Sequence, residues 1–372
     1  MTRAAVCLVV SVALLFSIGL LMVFNTTAAE IIDRSLTTST HAAMFKQIFS
    51  GFLGLAFGLL VYKLGYEFWL RWSIPLLIIG SVLLILVFIP GIGQKVNGAH
   101  RWLKIFGFSF QPSEYIKILI PAVYIEWYLK KEKPIALFPF LKMLAFIFIP
   151  ICLILFEPDN GTAAIIFLLL AALFLLTRIR LVYWALPLLV LLGGGVTAAY
   201  HMPHTSARIQ IYLHPELDLR GKGHQPHQAK IAAGSGQIFG RGIGESLQKL
   251  NYLPEARSDY IAAIYAEETG FLGILMLIAL YALLAYGGFV VAINSPNKGA
   301  FLLAAILTFL ISIQAFLNLG VVSGLLPSKG MNLPFFSQGG TSLIFNIVVL
   351  FILLDISRKT KSAPGYEPIR KL

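Results

Sequence analysis

The chain is a succession of long apolar blocks, and that feature limits its fold more than any other. Each block approaches or exceeds the ~20 residues needed to cross a hydrocarbon core of ~30 Å. The blocks lie near residues 4–24, 45–63, 72–90, 113–129, 138–156, 162–177, 181–200, 268–292, 299–319 and 339–357. Of 372 residues, 58% are hydrophobic and 12% are charged, about half the charged share of a soluble protein. That leaves too little polar surface to clothe a soluble body of this size. The expectation is an all-α polytopic membrane protein of about ten spans, one transmembrane domain over residues 1–372.

Arg3, the apolar stretch after it and Ala28-Ala29 faintly resemble a secretory signal. The block is long enough to cross, so it is read as the first span. Cys7 and Cys152 lie inside apolar blocks and read as small buried residues. An even number of spans puts both termini on one side, and the Lys/Arg bias picks the cytoplasm. That side then holds Lys63, Arg71, Lys130, Lys131, Lys133, Arg178, Arg180 and Lys298. A tail over about 358–372 adds Arg358, Lys359, Lys361, Arg370 and Lys371. The formal net charge of +12 is therefore sorted by membrane side first, and no nucleic-acid partner is expected.

Two outer segments break this pattern. Residues 91–112 carry Lys95, Arg101 and Lys104, and a long outer loop over about 201–267 carries seven more cations, Arg208 to Arg257. They are either solvated loop surface or a site for an anion. All seven histidines, among them His100, His224 and His227, fall on outer segments, but none forms a tight metal-binding motif. No cofactor is predicted, and a divalent cation is left open. The run GSGQIFGRGIG at 234–244 lacks the strand–turn–helix setting of a phosphate cradle. It reads as a bent, membrane-hugging loop with room for a ligand, and Pro203, Pro215, Pro226 and Pro254 break helices around it.

Ionisable groups at span edges are costly and so are functional candidates. Glu114 and Lys117, in QPSEYIK, share a helix face and can pair. Ser113 as a cap, with Glu114 at the positive helix end, explains the glutamate but not the lysine. Glu157 and Asp159, in EPDNGTA, suit ordinary turn chemistry or the mouth of a cavity. Asp259 opens DYIAAIYAEETGFLG and shares a face with Ala263 and Glu267, unless Ser258 or Asp259 is merely an N-cap. Residues 324–342, GLLPSKGMNLPFFSQGGTS, read as a bent or re-entrant segment whose one charge is Lys329. Backbone at that depth must be buried in protein or line water. Carboxylates, cations and membrane walls together suit an anionic ligand with a lipid part, such as a polyprenyl pyrophosphate-linked sugar, or an anion carried by a transporter.

These segments carry a resemblance. NGAHRWLKIFGFSFQPSEYIK, EPDNGTA, GSGQIFGRGIGESLQKLNYLPEARSDYIAAIYAEETGFLG and GLLPSKGMNLPFFSQGGTS resemble, in order, the signature segments of the SEDS family (shape, elongation, division and sporulation). These are bacterial peptidoglycan glycosyltransferases. The likeness spans nearly the whole chain, and QKLNYLPEA and KGMNLPF look more like the division branch than the elongation branch. Arg257-Ser258, Asn160 and Gln338 depart from the family's usual residues but leave the carboxylates in place.

The resemblance implies ten spans and a cavity facing outward from the bacterial cytoplasmic (inner) membrane. It implies lipid II, an undecaprenyl-pyrophosphate-linked disaccharide peptide, as donor and acceptor. The family's essential aspartate falls on Asp259, its fourth-span pair on Glu114 and Lys117, and its turn aspartate on Asp159. Asp259 is then the expected general base. Arg101, Lys117 and Lys329 would stabilise the departing pyrophosphate, with Glu114 holding Lys117. The implied partners are a class B penicillin-binding protein transpeptidase and divisome or elongasome proteins. A lipid II flippase and a scaffold for a partner synthase are the alternatives.

Overall fold

The computed structural model describes residues 2–34, 40–96, 99–105, 108–132, 134–185, 223–250, 253, 256–327 and 330–361. Eleven named helices and three strands lie among them. They are α1 (Arg3–Arg34), α2 (Ala42–Leu64), α3 (Tyr66–Arg71), α4 (Ser73–Leu86), β1 (Gly93–Val96), β2 (Ala99–Ile105) and β3 (Phe108–Phe110). Then come α5 (Pro112–Leu129), α6 (Leu137–Phe156), α7 (Asn160–Leu176), α8 (His224–Ser235), α9 (Ile261–Ile293), α10 (Lys298–Val322) and α11 (Gly340–Lys361). Among these, α1, α2, α6, α9, α10 and α11 are six helices long and apolar enough to cross a membrane, and α4 and α7 are shorter apolar helices. The seventh expected span lies outside the described residues beyond residue 185, as do Lys329, Pro254 and residues 186–222.

The helices run up and down, so the described segments gather at two ends. Short glycine-bearing faces set how closely they pack. Gly54 and Gly58 of α2 present no side chain where Ile347 and Phe351 of α11 come in, the small-residue packing that replaces hydrophobic drive in lipid. Lipid-facing residues such as Phe45, Phe49 and Phe52 remain exposed on α2. Helix α5 is buried along nearly its whole length. At one end, Asp355 of α11 is fully buried. It accepts the Tyr66 N–H at 2.9 Å and pairs with Arg358 at 2.6 Å, tying α3 to α11.

The opposite end corrects the all-α expectation. The three strands pair into an antiparallel sheet in the order β1-β2-β3. Period-2 alternation explains it: Leu103 points into the protein while Lys104 is exposed. Pro226, expected to break a helix, lies in the first turn of α8, where its missing N–H has no intrahelical role.

The glycine run packs on α9. Helix α9 kinks at Gly270, whose φ of 68° breaks the helical ladder. Residues 237–242 lie against the kink and complete it. Phe271 N–H and Leu272 N–H donate to the Gln237 and Ile238 carbonyls at 2.8 and 3.2 Å. Arg241 N–H and Gly242 N–H donate to the Glu267 and Glu268 carbonyls at 3.0 and 3.1 Å. Gly240, with φ of 80°, packs so closely on the Glu268 carbonyl that a side chain there would clash. Residues 237–242 are a strap on α9; Gly236 and Gly240 serve backbone contact there, whereas Gly234 and Gly244 face open space.

Candidate active site

The site is built around α10. Gln314 and Asn318 lie one turn apart on that helix, share a face and are 2% exposed. Each donates to the backbone of the bent segment before α11. Gln314 Nε2 reaches the Asn332 carbonyl at 3.0 Å, and Asn318 Nδ2 reaches the Met331 carbonyl at 2.6 Å. The Met331 and Asn332 carbonyls are thus satisfied within protein, as backbone at membrane depth requires.

The same amides join the two charged regions. Lys117 Nζ donates to Glu114 Oε2 at 2.8 Å and to Gln314 Oε1 at 3.0 Å. Its side chain is 2% exposed, so the pair replaces water as its solvation. Asn318 Nδ2 also donates to the Asp259 carbonyl at 2.9 Å, while Gln338 N–H donates to the Arg257 carbonyl at 3.0 Å. Asp259 therefore stands in a turn clamped to the bent segment. It lines one crevice with Tyr260, Asn318, Val321, Gly330 and Met331. A side chain at Gly330 would lie 3.2 Å from Asp259 Oδ2, so glycine there keeps space beside the carboxylate.

Neither capping alternative holds. Helix α9 has Tyr260 as its N-cap, without a side-chain capping bond, and α5 has Gln111. Ser113 instead donates to Asp159 Oδ2 at 3.0 Å. Glu267 does not act with Asp259, because its carboxylate is committed elsewhere. It accepts Ser246 Oγ at 2.5 Å and the N–H groups of Leu247 and Gln248.

Asp159 and Arg101 build the neighbouring wall. Asp159 caps α7 through Thr162 N–H at 3.3 Å and accepts from Gln111 Nε2 at 3.2 Å. Asp159 thus caps a helix and is buried against the start of α5. Arg101, on β2, donates from Nε and Nη2 to the Glu157 and Pro158 carbonyls at 3.0 and 2.6 Å. The guanidinium is thus a clip between sheet and turn.

Glu157 is fully buried in that turn, and neither carboxyl oxygen has a hydrogen-bond partner among the described residues. Burial, with the Asp159 charge adding and Arg101 opposing, pushes its carboxyl up to about 9 from an ordinary 4.5. Between those values the folded chain keeps a proton that the unfolded chain releases, so stability falls as pH rises through that window. Glu157→Gln removes the titration. It is expected to raise the melting temperature at pH 8 and to change it little near pH 4.5, read by thermal melting in detergent.

A second buried cluster was missed in the sequence. Glu268 accepts Lys249 Nζ at 2.9 Å and Asn25 Nδ2 at 2.6 Å, and Lys249 Nζ also donates to Asn25 Oδ1 at 2.8 Å. It ties the loop before α9 to α1. Its one local signal was the paired glutamates of EETG at the mouth of an apolar helix. Gln314 and Asn318 were missed as well. Two amides a turn apart in an otherwise apolar helix were the available sign.

Fold and site together define a multi-pass membrane protein with a buried ion pair and a crevice-lining aspartate joined at one end of its bundle. Residues 5–362 match the model of a family described as cell cycle protein, FtsW/RodA/SpoVE. The chain belongs to that family. It is 36% identical over 367 residues to the probable peptidoglycan glycosyltransferase FtsW of Trichlorobacter lovleyi, covering 96% of this chain and 94% of the relative. It is 34% identical to stage V sporulation protein E of Bacillus subtilis, covering 95% and 97%. Its fold matches a chain from a structure described as the structural coordination of polymerization and crosslinking by a peptidoglycan synthase complex. That match has a TM-score of 0.76 at 23% identity, over 96% of this chain and 98% of the other. The rod shape determining protein RodA of Thermus thermophilus matches at a TM-score of 0.69 and 23% identity, over 95% and 96%.

Proposed function

We propose that this protein is a peptidoglycan glycosyltransferase that polymerises lipid II at the outer face of the bacterial inner membrane. The observation that carries the reading is the link through α10 between a buried lysine and a crevice-lining aspartate. In this reading the chain crosses ten times with both termini cytoplasmic, and the sheet-bearing end faces outward. The naming of its FtsW relatives supports the reaction.

The acceptor sugar's 4-hydroxyl oxygen attacks the donor's anomeric carbon. The bond from that carbon to the pyrophosphate oxygen breaks with inversion, and undecaprenyl pyrophosphate leaves with the bonding electrons. Asp259 takes the hydroxyl proton as general base. Lys117 faces the developing pyrophosphate charge, where a fixed cation in a dry site acts strongly. Glu114 and Gln314 hold Lys117 in line. Asp159 and Arg101 shape the wall, and Arg101, clipping the turn with Nε and Nη2, adds its charge toward the departing pyrophosphate. Lys329, beyond the described residues, is proposed as a further cation for the pyrophosphate.

The proposed partner is a class B penicillin-binding protein in the division machinery, which would crosslink the strands. Purified protein given lipid II, with and without such a partner, is expected to yield long glycan polymer on a gel. Transfer of labelled lipid II across vesicles with no polymer would overturn the reading in favour of a flippase.

A further inference from the structure

We propose that Asn318 is a substrate-positioning residue whose Oδ1 accepts a hydrogen bond from a hydroxyl beside the attacking one on the acceptor sugar. The proposal rests on the glycosyltransferase reading and deepens it. The argument begins with the orientation of the amide. Both partners of Nδ2 are backbone carbonyls, of Asp259 and Met331, so the nitrogen must face them. Oδ1 is then the free end, and it is buried with no hydrogen-bond partner among the described residues. Buried polar atoms are nearly always satisfied, so an exception calls for a ligand or another role.

Gln314, one turn earlier, shows what its counterpart does. Its Nε2 holds the Asn332 carbonyl and its Oε1 accepts from Lys117. Asn318 repeats the first half of that arrangement, and its side of the crevice is the one that Asp259 lines. A hydroxyl poised to give its proton to Asp259 brings its ring neighbours with it. On the terminal sugar of lipid II those are the C3 hydroxyl and the C6 hydroxymethyl. One of them donating to Oδ1 fixes the acceptor against rotation, so the 4-hydroxyl meets the base.

The test measures binding in an Asp259→Asn background, where turnover is slowed by roughly 10²–10⁴-fold. Adding Asn318→Ala is expected to weaken labelled lipid II about tenfold, the scale of one hydrogen bond. Binding of undecaprenyl pyrophosphate, which has no sugar, is expected to stay unchanged. Equal losses for both ligands, or none for either, would overturn the proposal. Should Asn318→Ala fold poorly, native Asn318 is tested with lipid II deoxygenated at C3 or C6 of the terminal sugar. One analogue is expected to bind about tenfold more weakly, and equal binding of both with the parent overturns the assignment. Failure of the Asn318-containing protein to bind any lipid II would overturn the glycosyltransferase reading itself.

Discussion

Asp259→Asn is expected to lower glycan polymerisation by roughly 10²–10⁴-fold, the usual contribution of a general base. The change is nearly isosteric. It leaves the backbone carbonyl that Asn318 holds at 2.9 Å and keeps the turn clamped by Gln338. What it removes is the group that can take a proton from a sugar hydroxyl. The melting temperature and the affinity for lipid II should therefore change little while product formation collapses. Polymer within a few-fold of the native rate would eliminate the proposed base. The readout is polymer from purified lipid II, paired with a detergent melting curve.

Lys117→Met is expected to be costly in two ways that a double variant separates. Removing the ammonium leaves Glu114, 8% exposed, without its ion-pair partner and leaves Gln314 Oε1 without its donor. Breaking a buried pair from one side costs about 3–5 kcal/mol, so the variant should melt far lower. Glu114→Gln combined with Lys117→Met removes both charges and should recover most of that stability. It should not recover activity if the lysine's charge stabilises the departing pyrophosphate. A double variant that polymerises normally would reduce the pair to a structural element.

What could be read in the sequence divides along the range of the interactions. Continuous apolar runs are local, so most of the membrane-spanning helices were visible. Glu114 and Lys117 were visible for the same reason: they lie three positions apart on one helix, and a buried lysine has few purposes there. Asp259 stood out by its place before an apolar helix, but its neighbours did not. Gly330 and Asn318 reach it from distant parts of the chain, and neutral amides raise no alarm in composition. Lys249 lies 224 residues from Asn25, a distance no periodicity spans. Arg101 stands out in the sequence only as a cation, because the turn carbonyl that it holds lies 56 residues away. The sheet was hidden for a related reason. Its strands are three to seven residues long, too short for alternation to stand out from loop.

The strap across the Gly270 kink bears on how the protein is made. A hydrocarbon interior offers no water to an interrupted helix, and each stranded amide there costs several kcal/mol. Residues 237–242, whose carbonyls receive Phe271 and Leu272, leave the ribosome before α9 does. Chain order thus supplies the carbonyl partners of Phe271 and Leu272 ahead of those amides, while the Arg241 and Gly242 amides wait for the Glu267 and Glu268 carbonyls that the helix brings.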